Sequence, residues 1–226
     1  SGRLALSPSA CELMSPTEKK NIGRRLKALQ RLITLTFLVA PMAGHAGTVQ
    51  QVGITNMITE SELVIHGEVI SRSYEFGHDQ SQIYTRVLIS VIDIIKGQFA
   101  GKTIELKFLG GTIGRRTLTV SDQFVPTVGD EAVYFIENLR RPQVNPLYGW
   151  RQGHFPVRYG EFADERFALT HDLQPIYEVL QENTPLGIEL TKGVATGISV
   201  KPADDQVPMT VSEFKNRLRE IAARSR

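Results

Sequence analysis

The sequence predicts a mainly β fold, a small antiparallel barrel or sandwich followed by a C-terminal α-helix. Five or more short segments are rich in valine, isoleucine and leucine, and polar or glycine-containing turns separate them. No amphipathic helices alternate with these segments, which disfavours a parallel α/β sheet. About 180 residues follow the N-terminal leader described below, a length that can bury enough apolar surface to fold without cross-links.

The first predicted elements are a short helix and a strand. Apolar side chains in residues 48–58 recur at a loosely helical spacing. Residues 63–70 alternate between apolar and polar side chains, the pattern of a half-buried strand, and this alternation places His66 on the outer, solvated side. Gly67 interrupts the strand and predicts a bend or a bulge there.

The strands that follow are predicted from β-branched and alternating segments. A polar loop over 74–82 joins the first strand to residues 83–95, which lack a wholly polar face and therefore predict a central strand. Residues 103–108 alternate cleanly between polar and apolar side chains. The remaining predicted strands are shorter and lie at 117–120, at 132–136, and within 149–159 and 167–170.

The C-terminal helix carries the clearest local signal. Thr210 and Glu213 have the spacing of a capping box, and apolar side chains of helical spacing follow at Val211, Phe214, Leu218 and Ile221. Together they predict a helix of about 13 residues. Residues 184–209 lack periodicity and predict a loosely ordered connection. The expected organisation is a leader over 1–46, a β-barrel domain over 47–183, and a connection with the helix over 184–226.

The leader has the order of charge and hydrophobicity that is typical of a signal peptide. Lysines and arginines fill residues 19–31, an apolar run covers 32–40, and small residues precede a cleavage site between Ala46 and Gly47. The apolar run is about half the length that a membrane-spanning helix needs, so we expect membrane contact only transiently, through the signal peptide. A periplasmic or secreted bacterial protein is predicted. Residues 1–13 show no pattern and are left out of the predicted fold.

Charge and cysteine content exclude several classes of function. The first 46 residues carry 7 lysines and arginines against 2 acidic residues, so residues 47–226 hold 19 basic and 22 acidic side chains, a net charge of −3. Such a domain is not expected to bind nucleic acid. The sole cysteine, Cys11, precedes the signal peptide. The exported chain therefore offers no disulfide, cysteine–zinc site or thiol nucleophile.

Several sequence blocks resemble a family of exported bacterial proteins whose function is uncharacterised. The blocks are Glu62 to Val69, Tyr84-Thr85, Lys96-Gly97, Gly110-Gly111, Val128 to Phe135, and Gln152 to Phe155. They cover roughly residues 50–160 and the final helix. The same order of strands is similar to netrin-like domains, the OB-type barrels that include tissue inhibitors of metalloproteases. The resemblance implies a small antiparallel OB-like β-barrel with a C-terminal α-helix.

The mechanism of those inhibitors does not transfer to this chain. They chelate the zinc of the protease through an N-terminal cysteine that disulfides hold in place. Here the predicted mature N-terminus is Gly47-Thr48, and no cysteine follows it. The resemblance therefore implies a fold more than an activity.

No metal, cofactor or catalytic site is predicted. Four histidines lie within residues 47–226, at His66, His78, His154 and His171, and none has another at metal-ligand spacing. No G-x-S-x-G nucleophile motif is present. Gly110-Gly111 predicts a turn of positive φ rather than a phosphate loop. His154 is the one histidine of interest, because it lies in a block that carries the resemblance.

The best candidate for a binding surface is residues 139–159, where arginines alternate with aromatic side chains and prolines. Arginine beside aromatic residues is typical of contact surfaces, because it combines stacking area with directed donors. The candidate binding residues are Arg140, Arg141, Tyr148, Trp150, Arg151 and His154. The alternative is a proline-stiffened loop whose aromatic side chains fill one end of the barrel.

We expect an exported, non-enzymatic binding domain whose ligand is a protein or a cell-envelope component. One alternative is an inhibitor or escort of a secreted metalloprotease. A second is an envelope hydrolase that uses His154 with a carboxylate, and a third is a structural envelope component. The sequence does not choose among the partners.

Overall fold

The strand β1 (Leu63–Phe76) lies at the centre of the fold, because neighbouring strands pair with both of its edges. The computed structural model describes residues 50–160, 165–181, 194–203 and 205–225. The predicted leader and its cleavage site lie outside the described residues. Among the helices that the structure describes, none has the length and apolar content needed to span a membrane.

Ten strands and two α-helices make up the described part of the chain. The helices are α1 (Ile54–Glu60) and α2 (Val211–Arg224), and one 3-10 turn covers Trp150–Gly153. After β1, the strands are β2 (Ile83–Lys96), β3 (Thr103–Leu109), β4 (Gly111–Ile113), β5 (Arg116–Leu118), β6 (Glu131–Ile136), β7 (His154–Tyr159), β8 (Arg166–Ala168), β9 (Glu178–Val179) and β10 (Ile198–Ser199).

Six of these strands form one antiparallel sheet, in the order β3-β2-β1-β6-β7-β8. The pairs β4–β5 and β9–β10 form two small separate sheets. The predicted mainly β, antiparallel class is therefore confirmed. No ladder joins β3 to β8 among the described strands, so the sheet has two edges. A single backbone hydrogen bond, 2.9 Å from the Leu109 N–H to the Val144 carbonyl, links β3 to the chain that follows β6.

Bulges interrupt the pairing of β1 with β2. The register between β1 and β2 shifts at three points, and one of them lies between His66 and Gly67, as the glycine predicts. A Cβ atom at position 67 would lie 2.6 Å from the Ile89 side chain and 2.7 Å from the Ser90 carbonyl oxygen. Only glycine allows this close approach of the two strands, because its neighbours cannot give way without breaking the β1–β2 pairing.

Each face of the sheet carries its own hydrophobic core. One face packs under both helices, and Phe155 of β7 meets Phe214 of α2 with ring centroids 5.1 Å apart. The second face curls onto itself and is filled by side chains from five segments, among them Ile65, Val87, Leu106, Phe108, Tyr134 and Leu147. Because both faces are covered, β1 has an almost continuously buried first half.

The predicted C-terminal helix is confirmed, including its capping box. The Thr210 hydroxyl accepts a hydrogen bond from the Glu213 N–H, and the Glu213 carboxylate accepts one from the Thr210 N–H. The four predicted apolar positions of this helix are all buried. Lys215 and Arg219 each lie 2.7 Å from the Asp93 carboxylate of β2, which fixes the helix against the sheet.

Helix α1 begins at Ile54, several residues later than the spacing from Thr48 predicts. The side chain of Gln152 explains the difference. Its amide oxygen accepts a hydrogen bond of 3.0 Å from the Val52 N–H, and its amide nitrogen donates one of 2.9 Å to the Gln50 carbonyl. The Gln152 side chain therefore holds residues 50–52 in the way a neighbouring strand would, and the helix starts only beyond this contact.

Part of the predicted loose connection over 184–209 is built into the domain. Strand β10 pairs with β9, Ala195 is buried in the core on the helix face, and the Thr196 N–H donates to the Val52 carbonyl at 3.0 Å. Short-range periodicity does not reveal such pairing, because each partner contributes only two residues to the ladder.

The packing of Phe214 yields a stability prediction. Replacing this fully buried ring with alanine removes its contact with Phe155 and leaves a cavity between helix and sheet. We expect Phe214→Ala to lower the free energy of unfolding by about 3–5 kcal/mol, measured by urea denaturation. The control Leu180→Ala changes a side chain that is 47% exposed and should shift stability little. Equal losses in the two variants would contradict the described packing.

Candidate functional site

The outer edge of β3 carries backbone groups that bond to no partner among the described residues. The Gly110 N–H donates to Ile83 at 2.7 Å and the Val91 N–H donates to Lys102 at 2.9 Å, which sets the alternation of the β2–β3 ladder. By that alternation, the N–H and C=O groups of Glu105 and Lys107 point away from β2. No described strand pairs with them on that side.

An open groove of about 620 Å³ runs beside this edge. Three stretches that are distant in sequence form it, namely the turn between β1 and β2, the middle of β3, and the loop that follows β6. Its lining residues are Gly77, His78, Asp79, Gln82, Tyr84, Glu105, Leu106, Lys107, Asn138, Leu139, Arg140, Arg141, Pro142, Gln143 and Pro146. The sequence contains no local signal for this groove, because only the bend of the sheet brings the three stretches together.

The loop wall of the groove is held by Asn138. Its side-chain oxygen accepts hydrogen bonds from the backbone N–H groups of Arg140 at 2.9 Å and Arg141 at 2.6 Å, a local turn that asparagine favours. Arg141 forms an ion pair with Glu137 at 2.6 Å. The side chain of Arg140 has no ion-pair partner among the described residues, and the buried Oε1 of Gln143 accepts no hydrogen bond there.

The strand wall of the groove is a network of ion pairs. Lys107 lies 2.6 Å from Glu75 and places its ammonium group 4.1 Å from the centre of the Tyr84 ring. Arg86 bridges Glu75 and Glu105 at 3.1 and 2.6 Å. The hydrogen bond from Lys107 holds the pKa of the Glu75 carboxyl below its ordinary value, assisted by the charge of Arg86. These contacts fix the side chains that flank the unpaired strand edge.

The structure divides the six predicted binding residues between different places. Arg140 and Arg141 line the groove. Tyr148 packs against the core on the helix face, as the alternative of a burying loop expects. Trp150 opens the 3-10 turn with a φ of 59°, and the Nε of Arg151 donates to the Asp122 carbonyl at 3.3 Å.

His154, the sixth residue, is buried and faces a second histidine. Its Nδ1 lies 3.1 Å from the Nδ1 of His171, and the Phe124 ring packs against both imidazoles at 4.6 and 4.5 Å between centroids. Burial lowers the pKa of His154 to about 3, helped by the neighbouring His171. Its Nε2 is buried without a hydrogen-bond partner in the described structure. The hydrogen-bond partner of His154 is therefore the imidazole of His171. An envelope hydrolase that uses His154 would need a carboxylate in that position.

His66 is not solvated, contrary to the expectation from alternation. Its side chain is fully buried on the helix face, and its Nε2 lies 2.7 Å from the Glu131 carboxylate, which also binds Arg166 at 2.6 Å. Burial lowers the pKa of His66 although the Glu131 carboxylate opposes that shift. The expectation was wrong because it assumed that one face of β1 is exposed to solvent. Helix α2 covers that face and buries His66.

The block Gln152-Gly153 has a structural explanation. Gln152 holds residues 50–52, as described above, and a Cβ at Gly153 would collide with the carbonyl oxygen of Tyr148. Both residues therefore fix the chain between β6 and β7. Neither lines the groove.

Neither a group of metal-ligating side chains nor a likeness to a known protein assigns a role to these residues. Within the described residues, no three histidine, aspartate or glutamate side chains are grouped so that they could hold a metal ion. No known protein family, curated protein or solved structure matches this chain.

The buried histidines predict a pH dependence of stability. Burial lowers the pKa values of His66, His154 and His171, whereas the same groups in the unfolded chain titrate near pH 6.5. Below about pH 6.5 the unfolded chain therefore binds more protons than the folded chain. The free energy of unfolding should be fully retained above this pH and should fall as the pH drops towards the folded-state values, about 3 for His154.

A variant isolates the part due to His154. Between about pH 6 and 4, the unfolding free energy of His154→Gln should decline less steeply than that of wild type, by up to about 1.4 kcal/mol per pH unit. Urea denaturation over this range measures the slope. The control His78→Gln, in an exposed turn, should keep the wild-type slope. Parallel curves for wild type and His154→Gln would show that His154 does not stay neutral in the folded protein.

Proposed function

We propose that this chain is a non-enzymatic binding domain that acts outside the cytoplasm and holds an extended segment of a partner protein in the groove. The unpaired N–H and C=O groups of Glu105 and Lys107 at the groove edge carry the proposal. A strand edge with open donors and acceptors pairs readily with an extended chain, and backbone hydrogen bonds then supply affinity without a particular sequence.

The molecule already uses the same edge once. At the end of β3, the Leu109 N–H bonds to the Val144 carbonyl, and the Leu109 carbonyl accepts a hydrogen bond of 2.9 Å from the Gln123 side chain. A partner segment would continue this pairing along β3, at Lys107 and Glu105. The bound segment would then lie between β3 and the loop that carries Arg140.

We further infer that the sheet is an OB-like barrel whose seam is this groove. The N–H groups of Glu137 and Tyr148 bond at 2.9 Å to Pro146 and Phe135, so the segment after the loop follows β6. Its earlier end, at Val144, meets β3 through one bond. Two observations support an OB-like barrel. Side chains fill the inner face of the curled sheet, and one backbone bond closes the gap between β3 and the chain after β6.

The groove walls offer side-chain specificity. Arg140 is a cation without an ion-pair partner in the described structure, and it lines the groove. A segment that places a carboxylate near Arg140 would supply the missing partner.

A photocrosslinking experiment identifies the partner. A photoreactive residue at Leu139, in the groove wall, should form a covalent adduct with an exported or envelope protein in living cells. The same residue at Glu220, on the exposed side of α2, is the control and should not form that adduct. A secreted metalloprotease as the adduct would select the inhibitor or escort function among the alternatives.

A proline substitution tests the strand-addition mechanism. Glu105→Pro removes an N–H group that faces away from β2, so the sheet should still form. We expect it to weaken binding of the identified partner about tenfold, since it removes one bond and obstructs the edge. Glu105→Gln keeps the N–H group and should bind within about twofold of wild type. Unchanged affinity of a folded Glu105→Pro protein, by calorimetry, would exclude pairing along β3.

A further inference from the structure

The hairpin of β1 and β2 projects two faces of opposite character near its turn. Arg72, Tyr74 and Phe76 alternate along β1 on one face, and Glu75 lies on the other. We call the first, with Arg116 of β5, the arginine face, and Arg115 lies in the adjoining β4–β5 turn. We call the second the paired face, because Arg86 and Lys107 form ion pairs there with Glu75 and Glu105.

The arginine face combines cations with half-exposed aromatic rings. The guanidinium of Arg72 lies 5.7 Å from the centre of the Tyr74 ring, and that of Arg116 lies 5.1 Å from the centre of the Phe76 ring. The two aromatic residues are 46% and 37% exposed. Arg116 also donates to the Gln80 carbonyl at 2.8 Å, which positions the β4–β5 hairpin beside the turn.

The arginines of this face lack carboxylate partners within the described residues. None of Arg72, Arg115 and Arg116 forms an ion pair there, and the buried Nε of Arg72 has no hydrogen-bond acceptor. The paired face of the same hairpin shows the opposite arrangement, with each cation matched to a carboxylate. The two unmatched positive charges of this face, with Arg115 in the turn beside them, form an electrostatic complement for negative charge in a domain of net charge −3.

We propose that the arginine face docks an extended acidic segment of a protein partner. Alternate side chains of a strand are about 6.6 Å apart. Arg72, Tyr74 and Phe76 follow this interval along β1, and Arg116 lies over Phe76 at the end of the row. Alternate carboxylates of an extended peptide have the same interval. A guanidinium stacked on a ring keeps its N–H edge free to bind a carboxylate with two hydrogen bonds.

The arginines that lie over the Tyr74 and Phe76 rings favour an acidic peptide over a membrane as the ligand. Each ring lies against an arginine and is at most half exposed, so neither projects as an apolar wedge into lipid. The face is on the other side of the hairpin from the groove wall formed by Tyr84 and Lys107. Binding at the arginine face is therefore independent of binding in the groove, and each can be tested without the other.

A defined peptide tests the proposal on the exported protein. A fluorescent peptide of alternating glutamate and serine should bind, measured by anisotropy, and a glutamine–serine peptide should not. Removing two charges by Arg72→Gln with Arg116→Gln should weaken binding about tenfold. The matched control, Lys201→Gln with Arg224→Gln, removes two exposed charges that line neither the groove nor the arginine face and should bind within about twofold of wild type.

Other outcomes overturn the proposal. A loss confined to Arg86→Gln with Lys107→Gln, a variant that removes two charges from the paired face, would place the peptide in the groove and leave the arginine face without a role. Tighter binding of dextran sulfate or of phosphatidylglycerol vesicles than of the peptide would replace the protein partner by a glycan or a lipid. Because Arg72 is partly buried, Arg115→Gln with Arg116→Gln, both exposed, provides a second test that folding defects cannot obscure. Full binding by this folded variant would also refute the proposal.

Discussion

The two-sided burial of β1 is the constraint on which the rest of the structure depends. Leu63 and Ile65 point into the core of the curled face, while Val64 and His66 point towards the helices, and both edges of the strand are paired. A polar side chain on such a strand needs a buried partner, since an unpaired polar group in the interior costs several kcal/mol. Glu131 provides the partner for His66, and Arg166 in turn balances Glu131.

The same strand explains why a binding edge exists. The β1–β2 pairing contains three register shifts, which increase the twist of a sheet, and the outer edge of β3 approaches the chain after β6 without forming a ladder with it. One backbone bond at Leu109 closes the approach, and the edge beyond it remains open at Glu105 and Lys107. Water can satisfy these groups in the free protein. An extended segment would satisfy them with better geometry, and this difference is the basis of the proposed function.

The net charge of this domain says less about its surface than the local pairing of its charged side chains. On the strand wall of the groove the cations are neutralised by nearby carboxylates, and Asp93 does the same for Lys215 and Arg219 of α2. Isolated ion pairs on a surface contribute little to stability, so their main effect here is to orient side chains. The arginines of the arginine face differ from these, because they have no carboxylate partner within the described residues, although Arg116 also bonds to the Gln80 carbonyl.

The sequence by itself determined the antiparallel β class, the capped helix at Thr210 and the bulge at Gly67. Each of these features depends on residues that are close together in the chain. Only the tertiary structure decided that His66 is buried, that Tyr148 packs against the core, and that Arg140 lines the same groove as the edge of β3. Alternation along a strand shows which side chains share a face, but it does not show what covers that face. Contacts between distant segments arise only from the bend and the order of the strands, and no short pattern encodes them.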